Sequence, residues 1–387
     1  MALEQKSLTD IVNFSRSTTG TYFASDGKIK SAAIDTVRLD YDPAGGAVRG
    51  MLIEEARTNL LLKSADIAAS STWQGAGDFT LETVVSAIDG GTAYKHTNGG
   101  SSSNRARWQD VGNFTGNPET ISILIENVSA SMTRLDMWDR TAAGYICNAD
   151  LDWSDLSVSA KSGATARVMD LGTGPNGGQL VLLETTVTGP SGNGRQVVLF
   201  PTGTTVNTDA AIVHYVQFEV GGFASSYIPT TTTAVARAAD LMTRTVGAEY
   251  AAAECSLAYS VTLRDPAAGG KAFEFSDGTG SNRFGVSFQV VMLSVVGGSV
   301  GAQIQDLVTL SVMTPYRFAL GCAKDDWALY RDGVSSGSSV SGDLPQGITT
   351  LNIGSDYAGA YPLNGWLSEF VYYPVRLPDA TLLEISQ

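Results

Sequence analysis

Clusters of glycine, asparagine, aspartate and serine cut this 387-residue chain into apolar runs too short for ordinary helices. The clusters Asp89–Gly91, Asn98–Asn104, Gly172–Gly178 and Gly189–Gly194 separate Phe79–Ile88, Thr120–Asn127, Thr133–Trp138, Gln179–Val187, Gln196–Leu199 and Ala211–Val220. Short β-branched and aromatic runs between turn signals predict antiparallel strands. The same rhythm returns in Ser256–Arg264, Lys271–Ser276, Arg283–Val291, Tyr316–Cys322, Trp327–Arg331, Thr350–Ile353 and Gly365–Tyr373. Only Pro378–Gln387 predicts a helix, a short one with Leu382, Leu383 and Ile385 available to pack back. The expected class is all-β: tandem antiparallel β-sandwich (jelly-roll) domains, a small N-terminal β module and a short C-terminal helix.

One stretch joins these parts. Arg49 to Leu62 is densely apolar, yet it carries Glu54, Glu55, Arg57 and Asn59. A carboxylate buried beside Met and Leu side chains must be paired or hydrogen-bonded. The stretch therefore reads as a buried joint, with Arg57 answering Glu54 or Glu55 and Asn59 tying down backbone. The alternative is an amphipathic helix with Leu52, Ala56 and Leu60 on one face. Composition shifts after Leu62, and a Thr- and Ala-rich bridge runs from Thr230 to Asp240. The expected units are an anchoring or joining module over 1–62, a first sandwich over 63–240 and a second over 241–387. Residues 1–13 form a short lead whose Leu8, Ile11 and Val12 are available to pack on a neighbour.

Three segments resemble, in order, those of tail and other virion proteins of tailed bacteriophages. They are Phe14 to Gly27 (Phe-Ser-Arg-Ser-Thr-Thr-Gly-Thr-Tyr-Phe-Ala-Ser-Asp-Gly), Arg49 to Leu62, and Gln217 to Thr230 with its Ser-Tyr-Ile-Pro-Thr ending. The resemblance covers roughly residues 8–245, where relatives carry a carbohydrate-binding-module jelly roll, and it adds Gln217 and Glu219 in the last strand to the joint. A second resemblance, to laminin-G or concanavalin A-like jelly rolls, rests on Tyr316 to Gly321, Asp326 to Gly333, Leu351 to Gly354 and Leu363 to Tyr373. It implies a second sugar-binding type of fold.

The composition limits the partners. With 25 basic against 39 acidic residues the net charge is −14, which lacks the basic footprint that nucleic acid requires. Acidity also repels anionic membranes, and no apolar run is long enough to cross a bilayer. Cys147, Cys255 and Cys322 are odd in number and far apart, as expected of buried thiols in a chain folded in a reducing cytoplasm without an export signal.

Signatures of catalysis are weak. Gly172 to Gly177 matches a dinucleotide glycine pattern, but a strand-like run follows where a helix N-terminus is needed. His96 and His214 have no partner at metal-ligand spacing and read as structural. Asp136 with Asp139 and Asp325 with Asp326 would be guesses at a glycosidase pair, and surface solvation is the favoured reading of each. Calcium takes loop oxygens, so Asp277, Asp325, Asp326, Asp343 and Asp356 are the candidate ligands; no other cofactor is implied. Sugars stack on exposed aromatic rings. Trp73, Trp108, Trp138, Trp153, Tyr357 and Tyr361 are the candidates for that role, whereas Trp327 and Trp366 alternate with apolar residues and read as core.

The expectation is a non-enzymatic structural, adhesive virion component, a tail fibre, tail tip or spike. Its partners would be other virion proteins, further copies of itself in a trimer, and a host-surface glycan. A capsid-associated head fibre or decoration protein, and a surface-polysaccharide depolymerase, are the alternatives.

Overall fold

The computed structural model describes residues 12–100, 106–161, 163–204, 208–247, 250–265, 269–288, 292–304 and 310–387. Leu8 and Ile11 of the lead, the end of the Asn98–Asn104 cluster and the last residues of the expected strand Arg283–Val291 lie outside them. Among the described residues the architecture is two antiparallel sandwiches and one short helix, Asp379–Ile385, whose Leu382 is buried against Ala319 and Ala328.

The first sandwich pairs two six-stranded sheets. One runs in the order Val158–Ala160, Gly144–Asp152, Met132–Asp139, Gly194–Phe200, Arg107–Asn113 and Gln74–Gly75. Its outer side is not covered by any other described strand, and it is called the free sheet below. The opposing sheet runs Thr165–Thr173, Gln179–Thr188, Pro118–Asn127, Ala210–Val220, Thr92–Asn98 and Phe79–Val85. Ile121, Ile123 and Ile125 alternate inward to meet Leu135, Met137, Val197 and Leu199 of the free sheet. The glycine pattern at Gly172–Gly177 lies in the turn between Thr165–Thr173 and Gln179–Thr188.

Two seven-stranded sheets make the second sandwich, and the N-terminal region is part of both. Asn13–Ser15 extends one sheet beside Leu241–Thr245, while Leu39–Tyr41 and Val48–Ile53 extend the other beside Gly365–Tyr373. Gly50 sits at φ +126°, where a Cβ would lie 2.6 Å from the Leu367 carbonyl oxygen, so the run leading into Glu54 requires glycine there. The hairpin Gly20–Phe23 and Ile29–Ala32 covers the outer face of the opposing sheet, with Phe23 and Ile29 against Leu124, Leu180, Leu182 and Tyr215. The segment expected as an anchoring or joining module is thus shared between the two sandwiches. Its few apolar side chains close no core of their own and are buried on both neighbours. The amphipathic-helix alternative is excluded, because Val48–Ile53 and Arg57–Asn59 are strands.

Candidate functional site

Two constellations stand out, one buried between the sandwiches and one on the free sheet. The buried one is centred on Glu54, which is fully enclosed. Its Oε2 accepts from Arg38 Nη1 and Ser226 Oγ, each at 2.7 Å, and its Oε1 accepts from the Ser226 amide at 2.8 Å. Arg237 and Arg264 stand 3.4 and 3.7 Å away. Asp240 receives Arg38 on one oxygen and Arg16, at 3.0 Å, on the other, and it also accepts from the Glu54 amide. Burial alone would raise the Glu54 pKa, but Arg237, Arg38 and Arg264 hold it far below the usual carboxylate range. Asp40 beside them has neutral donors, the Phe23 amide at 2.6 Å and Trp366 Nε1 at 2.8 Å, and burial pushes its pKa up.

The sequence-chosen joint residues lie around this centre, and of the two carboxylates open to Arg57 it takes Glu55. Arg57 meets Glu55 at 2.5 Å and donates to the Val220 carbonyl, while Glu54 is answered by Arg38. Gly221 leaves the room for that guanidinium, since a Cβ there would fall on Arg57 Nη1. Asn59 donates to Ile228 O at 2.8 Å and accepts from the Leu61 and Phe218 amides. Gln217 accepts from the Ile228 amide at 2.6 Å, and Glu219 accepts from the amide and hydroxyl of Ser225. Arg16, Arg38, Arg237 and Asp240 were not singled out by sequence reasoning. For Arg38 and Arg237 the available signal was an arginine between apolar neighbours in a chain with only 17% charged residues.

On the free sheet, alternation sends one side chain in two outward. Register aligns Trp108 with Val198, Asp136 and Asn148 in one row across the strands. The adjacent row is Asp110, Gln196, Trp138 and Tyr145, and beyond it on the other side lie Phe200, Arg134 and Asp150. Trp108 and Trp138 are half-buried on Ala106, Val198 and Phe200, and Tyr145 is exposed and packs edge-on to Trp138 at 4.7 Å. Polar groups flank the rings: Gln74 accepts from Trp108 Nε1 at 3.1 Å, Gln196 donates to Asp110 at 2.8 Å, and Arg140 pairs with Asp110 at 3.0 Å. Arg134 makes a two-pronged pair with Asp150.

Asp136 lies in the middle of this face with no exposed surface. Neither of its oxygens receives a hydrogen bond of good geometry, and Arg134 Nε is 4.0 Å away. Burial pushes its pKa up to about 7, against the pull of Asn148, Arg134 and Lys161.

Other expected site residues are placed elsewhere. Trp73 and Trp153 are core residues, their indoles donating to Lys63 O and Thr133 Oγ1, so neither offers a stacking surface. Trp73 misleads because its neighbours in sequence are polar although its ring fills the sandwich interior. Trp327 and Trp366 are buried. Tyr357 and Tyr361 are exposed on a loop of the second sandwich. The five calcium candidates are not brought together. Asp277 accepts from Thr279 and Asn282, Asp325 from the Gly342 amide, and Asp356 from the Ala358 and Ala360 amides, while Asp326 pairs with Arg376 and Asp343 with Lys324. Among the described residues no group of three His, Cys, Asp or Glu converges on a metal position. Each of these aspartates caps a turn or sits in a surface ion pair, which uses the oxygens that an ion would need. Asp139 also turns inward, to the Thr141 and Ala142 amides, so it forms no pair with Asp136. His214 is buried, accepts from the Ala87 amide and lies 3.3 Å from Glu126; burial lowers its pKa. The three cysteines are buried and free.

A cleft of about 610 Å³ separates the first sandwich from the second, lined among others by Met169, Leu182, Glu184, Arg264, Val312 and Met313. Its carboxylates are committed, Glu184 to Arg167 and the Ala224 amide, and Asp170 to Gln179 and the Gly172 amide.

No protein-family model matches the chain, and no curated protein matches it. Among solved structures it is similar to a CBM40 of the Ruminococcus gnavus IT-sialidase, at 15% identity over 35% of this chain and 84% of that one, TM-score 0.31. Domain 4 of AbnA, a GH43 extracellular arabinanase from Geobacillus stearothermophilus, aligns at 11% identity over 42% of this chain and 81% of that one, TM-score 0.32. The CBM22-1–CBM22-2 tandem of Paenibacillus barcinonensis Xyn10C aligns at 9% identity over 83% of this chain and 99% of that one, TM-score 0.29. Scores this low carry no identification, and the fold is read from the strand order itself. Among the described residues no helix is long and apolar enough to cross a membrane.

Proposed function

We propose that this chain is a non-catalytic adhesive component of a tailed-bacteriophage virion that holds a host-surface glycan on its free sheet. The observation that carries the binding half of this reading is the pairing of Trp108 with the Trp138–Tyr145 corner on one uncovered sheet. Flat rings offer an apolar platform to sugar C–H faces, and Gln74, Gln196 and Asp110 beside them supply hydrogen bonds for hydroxyls. The virion half rests on the resemblance of three ordered segments, whose residues Arg16, Glu54, Arg57, Asn59, Gln217 and Ser226 all take part in the joint. A joint of that kind suits a part that must keep two sandwiches in fixed relation under load.

A non-catalytic role is supported by the commitment of the cleft's carboxylates to local partners. Single-site sugar affinity is weak, and a homotrimer would gain strength by presenting several copies of the face to one surface. The test is a glycan array with the purified full chain beside Trp108→Ala and Trp138→Ala. Retention by the wild type and at least a tenfold loss in each variant, with unchanged circular dichroism, is the expected result. Equal retention by all three proteins would overturn the face as the binding surface. Antibody labelling of virions would separate tail from capsid, and label on the head would replace the fibre reading with that of a head decoration protein.

A further inference from the structure

The most unusual group on the free sheet is one that no ligand can touch as the face stands. Asp136 points to the outer side, yet it is wholly covered by its neighbours on that side: Arg134 and Trp138 along its own strand, Val198 and Asn148 across from it. A buried carboxyl is ordinarily matched by donors, as at Glu54. Asp136 has neither a hydrogen bond of good geometry nor a cation to itself, because the Arg134 fork is held by Asp150.

We propose that Asp136 is the positioning residue of the glycan-binding face, and that its buried carboxyl holds Trp108, Trp138 and Tyr145 in place for an uncharged sugar chain. This rests on the reading of the free sheet as that face. Trp108 and Trp138 stand on strands separated by Gly194–Phe200, so their backbones lie about 10 Å apart across the sheet. Asp136 is on the Trp138 strand, two residues before Trp138 on the same face, and it shares a cross-strand row with Val198 and Trp108. An ionised carboxylate here is an uncompensated charge in a dry position. It must draw in water or pull Arg134 away from Asp150, and either change disturbs its neighbours Trp138 and Val198, which belong to the ring cluster.

The groups facing Asp136 come from every neighbouring element. Arg134 is on its own strand, and Tyr145, Asn148 and Asp150 are on Gly144–Asp152. Gln196 and Val198 on Gly194–Phe200 carry no charge, Asp110 on Arg107–Asn113 is held by Arg140 and Gln196, and Lys161 follows Val158–Ala160. The nearest carboxylate, Asp150, opposes a second negative charge, and burial does so more strongly. Arg134 and Arg140 are both engaged, so a uronic or sialic carboxylate finds neither of these cations waiting for it. The class expected is therefore a neutral glycan.

The experiment has two arms on the full chain. The first follows tryptophan fluorescence from pH 5 to 9 in the wild type and in Asp136→Asn, without ligand. A transition centred near 7 in the wild type and absent from the variant is expected; its absence from the wild type overturns the proposal whatever the glycan result. The second prints neutral, uronic-acid-containing and sialylated oligosaccharides and compares retention at pH 5.5 and 8.5. Wild type should keep neutral glycans at pH 5.5 and lose at least tenfold at 8.5, while Asp136→Asn keeps them at both. Retention without pH dependence, or a preference for the acidic glycans, overturns the role of Asp136 and leaves the face standing. No retention by either protein at either pH overturns the face itself, and the inference with it.

Discussion

Glu54 and Asp136 are both carboxyl groups with no exposed surface, and they are shifted in opposite directions. Three arginines and the Ser226 amide and hydroxyl surround Glu54, whereas Asp136 faces indoles, an amide and an arginine held by another acid. Burial by itself therefore decides nothing about charge; the partners that the fold brings up decide it. Asp40 argues the same from inside the joint, where neutral donors leave burial dominant and its pKa rises. Around Glu54 charge is held fixed by its arginines, whereas at Asp136 on the free sheet charge can change. Buried ion clusters add little net stability over apolar packing, but they are intolerant of a missing member. That suits a junction that must be built one way only.

The largest effect is expected where the comparison can be broken outright. Arg38→Met removes the side chain that hydrogen-bonds both Glu54 and Asp240, which Arg237 reaches only at 3.4 and 3.8 Å. Loss of one partner of a buried pair costs about 3–5 kcal/mol, and denaturant unfolding at pH 7 should show a loss of that size. The sign with pH is fixed by the direction of the Glu54 shift. A depressed pKa gives stability that is present above the ordinary value of 4.5 and is lost only as pH falls through the much lower folded value. The wild-type joint should accordingly survive mild acid. A change below about 1 kcal/mol in Arg38→Met would show that the charges here are not interdependent.

Asp136→Asn tests the opposite case and should stabilise. The folded pKa is raised from 3.8 to about 7, so the wild type loses stability as pH climbs from about 4 to 7, while the unfolded chain ionises freely. The rise corresponds to at most roughly 4 kcal/mol. Thermal melts of variant and wild type should coincide near pH 4 and separate progressively up to pH 8, with the variant higher. Equal separation at all pH values would mean that the amide acts through packing and that Asp136 carries no proton of its own at neutrality.

The two regions were unequally legible in the sequence. Turn clusters gave away fewer than half of the strands, among them the run Thr133–Trp138 that carries Trp138. Trp108 and Trp138 were separable from core tryptophans only in part, since Trp73 lies among polar neighbours and is nevertheless buried. The run from Arg49 to Leu62 announced a joint because ionisable residues sat in an apolar context. Its partners could not be named, because Arg38 and Asp240 are 202 residues apart and nothing local links them. Strands such as Thr92–Asn98 and Arg107–Asn113 were missed, as polar and charged residues fill their alternate positions. The condition of Asp136 was illegible for the same reason: it depends on Asp150 reaching Arg134 first, a matter of register across a hairpin.

That dependence supplies the smallest and most discriminating test. Arg134→Gln takes away the cation 4.0 Å from Asp136 and at the same time leaves Asp150 unneutralised. Both changes oppose a negative charge at Asp136, so the midpoint of the tryptophan titration should move upward, by up to about one pH unit or 1.4 kcal/mol. The shift must be modest if Arg134 belongs to Asp150, and large if it has been serving Asp136. In the joint the corresponding removal of an arginine disrupts a cluster, because there each guanidinium is needed by a carboxylate that has no alternative. On the free sheet the same kind of removal only retunes one group. A midpoint that climbs by well over one pH unit, or a protein as damaged as Arg38→Met, would mean that Arg134 and Asp136 form a working pair, and that the two regions follow one rule.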